Sequence, residues 1–164
     1  MARRAALVVA IAVAAAAAPA LARDSLGVFG SWGAFRDAGA GRCYAIAMPA
    51  PGKHANETQP FVTIATWPGK NIRGQVHVRL ARRAQPGHGI TLKIGGRYYP
   101  LAGNGVDVWS VDPRSDPAIV AAMRSQPVMT VYATDGAGKR YWDSYALAGA
   151  ASAMDAASIA CSNR

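Results

Sequence analysis

The sequence predicts a mainly β domain: a β-sandwich or flattened barrel of about eight or nine antiparallel strands with two short helices, one of them C-terminal. Three observations carry this. Short β-rich runs are separated by Gly and Pro punctuation. Two of the runs alternate with a period of two: Val76, Val78 and Leu80 against Gln75, His77 and Arg79, then Ile90, Leu92 and Ile94 against Thr91 and Lys93. Helical patterns come late and do not alternate with strands, which argues against a parallel βαβ sheet.

Taken in order, Val28 to Phe35, interrupted by Gly30 and Gly33, reads as a first strand, and Arg42 to Met48 as a second, closed by Pro49 and Pro51. Ala50 to Gln59 is polar and reads as an exposed loop. Phe61 to Trp67 is β-rich and stops at Pro68-Gly69. The two alternating segments follow, the second turning at Gly95-Gly96 into Arg97 to Leu101 as a tight hairpin. Val106 to Trp109 is a further short strand. The period then changes. Asp116 followed by Pro117 reads as an N-cap and a first helical residue, Ile119, Val120 and Met123 form an apolar stripe, and Gln126-Pro127 ends the helix. Val128 to Thr134 and Arg140 to Leu147 form a second hairpin around Asp135 to Gly138. Leu147, Met154 and Cys161 recur at seven-residue steps in an Ala-rich stretch, which reads as a C-terminal helix delivering Cys161 to the body of the domain.

The N-terminus predicts a location outside the cytoplasm for this domain. Arg3 and Arg4 precede an unbroken apolar run from Ala5 to Ala18, Pro19 breaks it, and Ala20-Leu21-Ala22 offers a small-residue cleavage site. That is the pattern of a secretory signal peptide over residues 1–22, and the run is shorter than the roughly 20 residues a membrane span needs. Cleavage after Ala22 leaves 142 of the 164 residues, enough for one domain over 23–164. The expected location is the periplasm or the cell surface, with the membrane contacted at most peripherally. With Arg3 and Arg4 removed, 16 Lys and Arg stand against 9 Asp and Glu, a net charge of +7. Such a surface favours anionic partners, a phosphorylated glycolipid or polyanionic glycan, while the compartment disfavours nucleic acid.

Exported domains with two thiols most often pair them, here Cys43 with Cys161. Two free thiols or a catalytic pair are the alternatives, and the C-x-x-C spacing of such a pair is absent. His54, His77 and His88 stand in no zinc spacing, no G-x-S-x-G occurs, and no cofactor or metal is expected. Gly136-Ala137-Gly138-Lys139 lacks the Walker spacing and reads as a hairpin turn. Asp143 is unusual in mid-strand and is expected to meet an Arg or a backbone amide. Trp32, Trp67, Trp109 and Trp142 are expected as core anchors. The densest basic cluster, Arg79, Arg82 and Arg83, is the candidate site for phosphate or sulfate groups.

Trp32 with Cys43-Tyr44-Ala45, Trp109-Ser110-Val111-Asp112, Ala122-Met123, Thr130-Val131-Tyr132, Asp143-Ser144-Tyr145-Ala146-Leu147-Ala148-Gly149 and Ala160-Cys161 occur in that order. In order and spacing the chain resembles the invasion-associated locus B proteins of alphaproteobacteria. The resemblance implies an extracytoplasmic β-sandwich with its two cysteines bridged, linked to host-cell entry or envelope function. It implies no catalytic residues. The expected function is non-enzymatic binding to another envelope protein, an anionic glycolipid or a host surface. A small-ligand carrier with an aromatic pocket between sheets is the alternative, and an exported hydrolase a remote third reading.

Overall fold

A computed structural model describes residues 23–52 and 56–162, so the expected signal peptide and His54 lie outside the described residues. Among the described residues ten strands form, rather than eight or nine: β1 (Asp24–Phe29), β2 (Trp32–Asp37), β3 (Arg42–Ala47), β4 (Phe61–Trp67), β5 (Ile72–Arg79), β6 (Ile90–Ile94), β7 (Arg97–Asn104), β8 (Asp107–Ser110), β9 (Val128–Thr134) and β10 (Arg140–Ala146). Helix α1 (Asp116–Ser125) follows β8, and α2 (Ala150–Ser162) comes last. All neighbours pair antiparallel in one sheet of order β1-β2-β3-β4-β5-β8-β7-β6-β9-β10. It is an open sheet with β1 and β10 as its edges, not a closed barrel. One added strand comes from the segment Val28 to Phe35, which is not continuous. It turns at Gly30-Ser31, and Phe29 then pairs with Trp32 across a hairpin.

The alternation expected in β5 and β6 holds and decides which face is buried. Val76, Val78, Leu92 and Ile94 point inward, and the same face continues through Ala34, Ala45, Val62, Ile64, Leu101, Val108, Met129, Val131, Tyr141 and Tyr145. Both halves of the sheet contribute to one apolar cluster, joined by Ile119 and Met123 of α1 and by Ala153 and Met154 of α2. The sheet therefore curls around its own inner face. Trp32, fully buried, fastens the curl where the edges approach: its indole N–H donates to the Ala146 carbonyl at the end of β10, 2.8 Å away. Ala50 N–H donates to the Ser144 carbonyl in the same region, also at 2.8 Å.

One local expectation changes and one holds. Asp112, not Asp116, does the capping: its carboxylate accepts from Arg114 N–H at 3.0 Å at the start of a short 3-10 turn, Pro113–Ser115. Asp116 opens α1 but is buried, accepting the Ser110 hydroxyl at 2.6 Å, and burial raises its pKa. The C-terminal helix does deliver Cys161. It forms a disulfide with Cys43 of β3, with Cα atoms 5.9 Å apart, and Ala157 packs beside it.

Candidate functional site

The outward face of β2 to β5 and β8 is lined with aromatic and cationic side chains in register. Phe35 pairs with Tyr44, Asp37 with Arg42, Thr63 with His77, Phe61 with Arg79, and His77 with Trp109. Of the four tryptophans expected in the core, only Trp32 is there; Trp109 and Trp142 are 39% and 58% exposed, and Trp67 is half-buried on the outer side.

At one end of this face the β2–β3 turn, the 3-10 turn Pro68–Lys70 and the end of α2 enclose a cleft of about 600 Å³. That is within the usual range for a small-ligand site, roughly 300–1,000 Å³. Arg36, Arg42, Lys70 and Trp67 line it, together with Asp37 and Cys161. The Arg42 guanidinium lies 4.6 Å from the Tyr44 ring centre and 5.1 Å from that of Trp67, and Lys70 Nζ lies 4.6 Å from Trp67. The Trp67 ring is itself held by a hydrogen bond from Nε1 to Gln75 Oε1, 3.1 Å. Asp37 is the cleft's acidic side chain and is shared: it accepts Ala40 N–H at 3.0 Å, with Arg23 at 3.6 Å and Arg42 Nε at 3.9 Å. Arg42 Nε is buried and makes no hydrogen bond among the described residues. The cleft thus presents cations braced against aromatic faces, with less negative than positive charge to offset them.

The centre of the outer face holds a second arrangement. His77 Nε2 meets Asp107 Oδ1 at 2.9 Å, and Thr63 Oγ1 lies 3.4 Å from His77 Nδ1. Hydroxyl, imidazole and carboxylate stand in the order of a catalytic triad. The geometry does not make a nucleophile of Thr63, which is 4% exposed and only at the limit of hydrogen-bond distance. Asp107 is also bound by Arg79 through both oxygens, at 2.9 and 2.8 Å, and this pairing holds its carboxyl below the usual range. His77 stacks on Trp109 with ring centres 4.8 Å apart, and burial lowers its pKa despite the Asp107 hydrogen bond. The cluster reads as an ion network that fixes the outer face.

The members of the expected basic cluster each have their own neighbours. Arg79 is committed to Asp107; Arg82 pairs with Asp135 at 2.9 Å and lies over Tyr141; Arg83 runs against Gly105. The chain leaves the sheet after β5, and Arg82 turns to the β9–β10 hairpin while Arg79 and Arg83 stay by the turn between β7 and β8. Asp135 also accepts N–H groups from Ala137 and Lys139, which makes Gly136 to Lys139 the expected turn. Tyr98 is exposed while Tyr99 lies on the inner face, so the two do not share a binding surface. Among the described residues no group of three His, Cys, Asp or Glu is placed to hold a metal, and no helix is long and apolar enough to cross a membrane.

No protein-family model matches the chain, and neither a curated protein nor a solved structure matches it.

Proposed function

We propose that this chain is an exported, non-enzymatic binding protein of the cell envelope, and that the cleft beside the disulfide takes phosphate-bearing groups of an anionic glycolipid. The observation that carries this is the placing of Arg36, Arg42 and Lys70 around Trp67 in a cleft of about 600 Å³. Guanidinium and ammonium groups supply charge and donors to phosphate, and the indole supplies a flat wall for a sugar ring. The signal-peptide pattern, the disulfide and the resemblance to invasion-associated locus B proteins support an extracytoplasmic setting, where such glycolipids and host surfaces are met.

The test is binding of the oxidised domain, residues 23–164, to vesicles containing a phosphorylated glycolipid, compared with its dephosphorylated form. Binding is expected to weaken steeply with added salt. The R42E/K70E double variant is expected to bind at least tenfold more weakly, whereas K93E, a charge reversal in β6 on the other half of the sheet, leaves affinity within about twofold. Salt-independent binding, or equal losses in the two variants, would refute the assignment.

A further inference from the structure

A second cleft lies between the β6–β7 hairpin and α1 and shares no lining residue with the cationic one. Its volume is about 560 Å³, within the usual range for a small-ligand site. One wall is the hairpin, with Arg97 and Tyr99 on it; the other is the small-residue surface of α1, Ala118, Ala121 and Ala122. Arg97 and Tyr99 stand two residues apart on β7, so their side chains leave the same face of the strand about 7 Å from each other. Tyr99 pairs with the buried Leu92 and Arg97 with the buried Ile94, which marks that face as the inward one.

Both polar groups on the hairpin wall lack a partner. Arg97 is exposed and makes no ion pair or hydrogen bond among the described residues. Tyr99 is 9% exposed, and its buried hydroxyl has no hydrogen-bond partner among the described residues. An unpaired hydroxyl inside the fold is costly, and a phenylalanine there would offer the same ring without it. The last turn of α1, by contrast, is closed on itself. The Ser125 hydroxyl donates to the Ala122 carbonyl at 3.2 Å, and Gln126 N–H donates to the same oxygen at 3.1 Å. That carbonyl is therefore occupied rather than left to face Arg97. Among the described residues no Asp or Glu lines the cleft.

The chemistry of the walls narrows the class. They offer one uncompensated cation, one phenol donor and a run of methyl groups. A guanidinium fork with a hydroxyl donor beside it suits a planar carboxylate. The alanine methyls suit an alkyl chain, which gains from leaving water and needs no hydrogen bond. A sugar or a free phosphate would press its remaining oxygens against those methyls unpaired. We infer that the cleft between the β6–β7 hairpin and α1 binds a medium-chain alkyl carboxylate, the carboxylate held by Arg97 and Tyr99 and the chain laid along Ala118, Ala121 and Ala122. Gln126, exposed and with its amide over Gly95, is the long movable side chain of the wall, and its shift opens the shielded Tyr99 hydroxyl to the entering carboxylate.

The test titrates the oxidised domain, residues 23–164, with octanoate, octan-1-ol and acetate, read by amide, methyl and indole NMR shifts. Octanoate is expected to move the Gly95 and Gly96 amides and the Ala121 and Ala122 methyls saturably, leaving the Trp67 indole in place. Octan-1-ol, which brings no charge to Arg97, is expected to bind about fivefold more weakly or worse, and acetate, which lacks the chain, more weakly still. R97Q, at an exposed position, is expected to weaken octanoate about tenfold and to leave octan-1-ol within about twofold. Y99F is expected to weaken octanoate about threefold or more without lowering the melting temperature, because no hydrogen bond of the fold is lost. The site is refuted if octanoate moves none of these signals saturably, if octan-1-ol binds as tightly, or if either variant binds octanoate as tightly as the wild type. Octanoate shifts retained in R42E/K70E separate this cleft from the cationic one; their loss in that variant would put octanoate at Trp67 and overturn the assignment.

Discussion

Asp143 and His77 show in opposite senses how single groups on this sheet couple protonation to folding. Burial raises the Asp143 pKa, so the native state holds its proton to higher pH than the unfolded chain does. Its contribution is fully present below the unfolded value and is lost as pH rises through the raised one. D143N, which removes the charge and keeps the shape, is therefore expected to be more stable than the wild type near neutrality by about 1 kcal/mol, with the gap closing in mild acid. Urea unfolding at the two conditions checks it; a gap that is constant with pH contradicts it. For His77 the folded pKa lies below 6.5, mainly through burial. The unfolded chain takes up that proton first, so stability is present above the unfolded value and lost as pH falls through the depressed one. Asp107 is the group that opposes this depression. D107N is expected to lower the His77 midpoint further, read directly from imidazole signals in an NMR titration. A midpoint that rises would show that Arg79, released from its carboxylate, is not the charge His77 then feels.

At the scale of elements, the join between β10 and α2 holds the closest backbone approach at any described glycine. Gly149, with φ of +90°, sits where an added Cβ would lie 1.9 Å from the Phe29 carbonyl oxygen at the end of β1. The three nearest atoms, Phe29 O and C and Gly30 N, are all backbone, so neither a rotamer change nor a side-chain shift relieves the approach. Gly149→Ala is expected to destabilise by about 3 kcal/mol or more, because the close approach adds to the cost of positive φ. Gly87→Ala, at a similar positive φ with open space around it, is expected to cost only about 1 kcal/mol. Thermal melts of the two variants decide whether the passage, rather than φ alone, matters. The helix this glycine introduces was legible in the sequence from the recurrence of Leu147, Met154 and Cys161. The break of the first strand at Gly30 was less so. Apolar and aromatic residues flank that turn on both sides, and only pairing of Phe29 with Trp32 shows two strands where composition suggests one.

Over the whole molecule, the alternating residues of β5 and β6 predicted which face is buried, and the β-rich class followed from them. The cationic cleft was not legible, because Arg36, Arg42 and Lys70 come from β2, β3 and the turn after β4 and meet only through strand pairing. The available signal was the alternation of Arg42 with Tyr44 and the run Trp67-Pro68-Gly69-Lys70, cations and aromatics beside a turn. Of Arg79, Arg82 and Arg83, dense along the chain, two are engaged by carboxylates from other strands: Arg79 by Asp107 and Arg82 by Asp135. The disulfide links this site to the stability of the whole. Cys161 lines the cleft and is bonded to Cys43, a sequence separation of 118. Closing a loop of that size is worth about 4–5 kcal/mol in the chain-entropy model, a large share of a typical domain's stability of about 5–15 kcal/mol. The C43A/C161A variant is expected to lose most of that in urea unfolding. At low denaturant, where it remains folded, the end of α2 is no longer tied to β3 and one wall of the cleft loosens. Glycolipid affinity is then expected to fall severalfold. Unchanged glycolipid affinity in the folded variant would separate the disulfide from the site and leave it a purely structural bond.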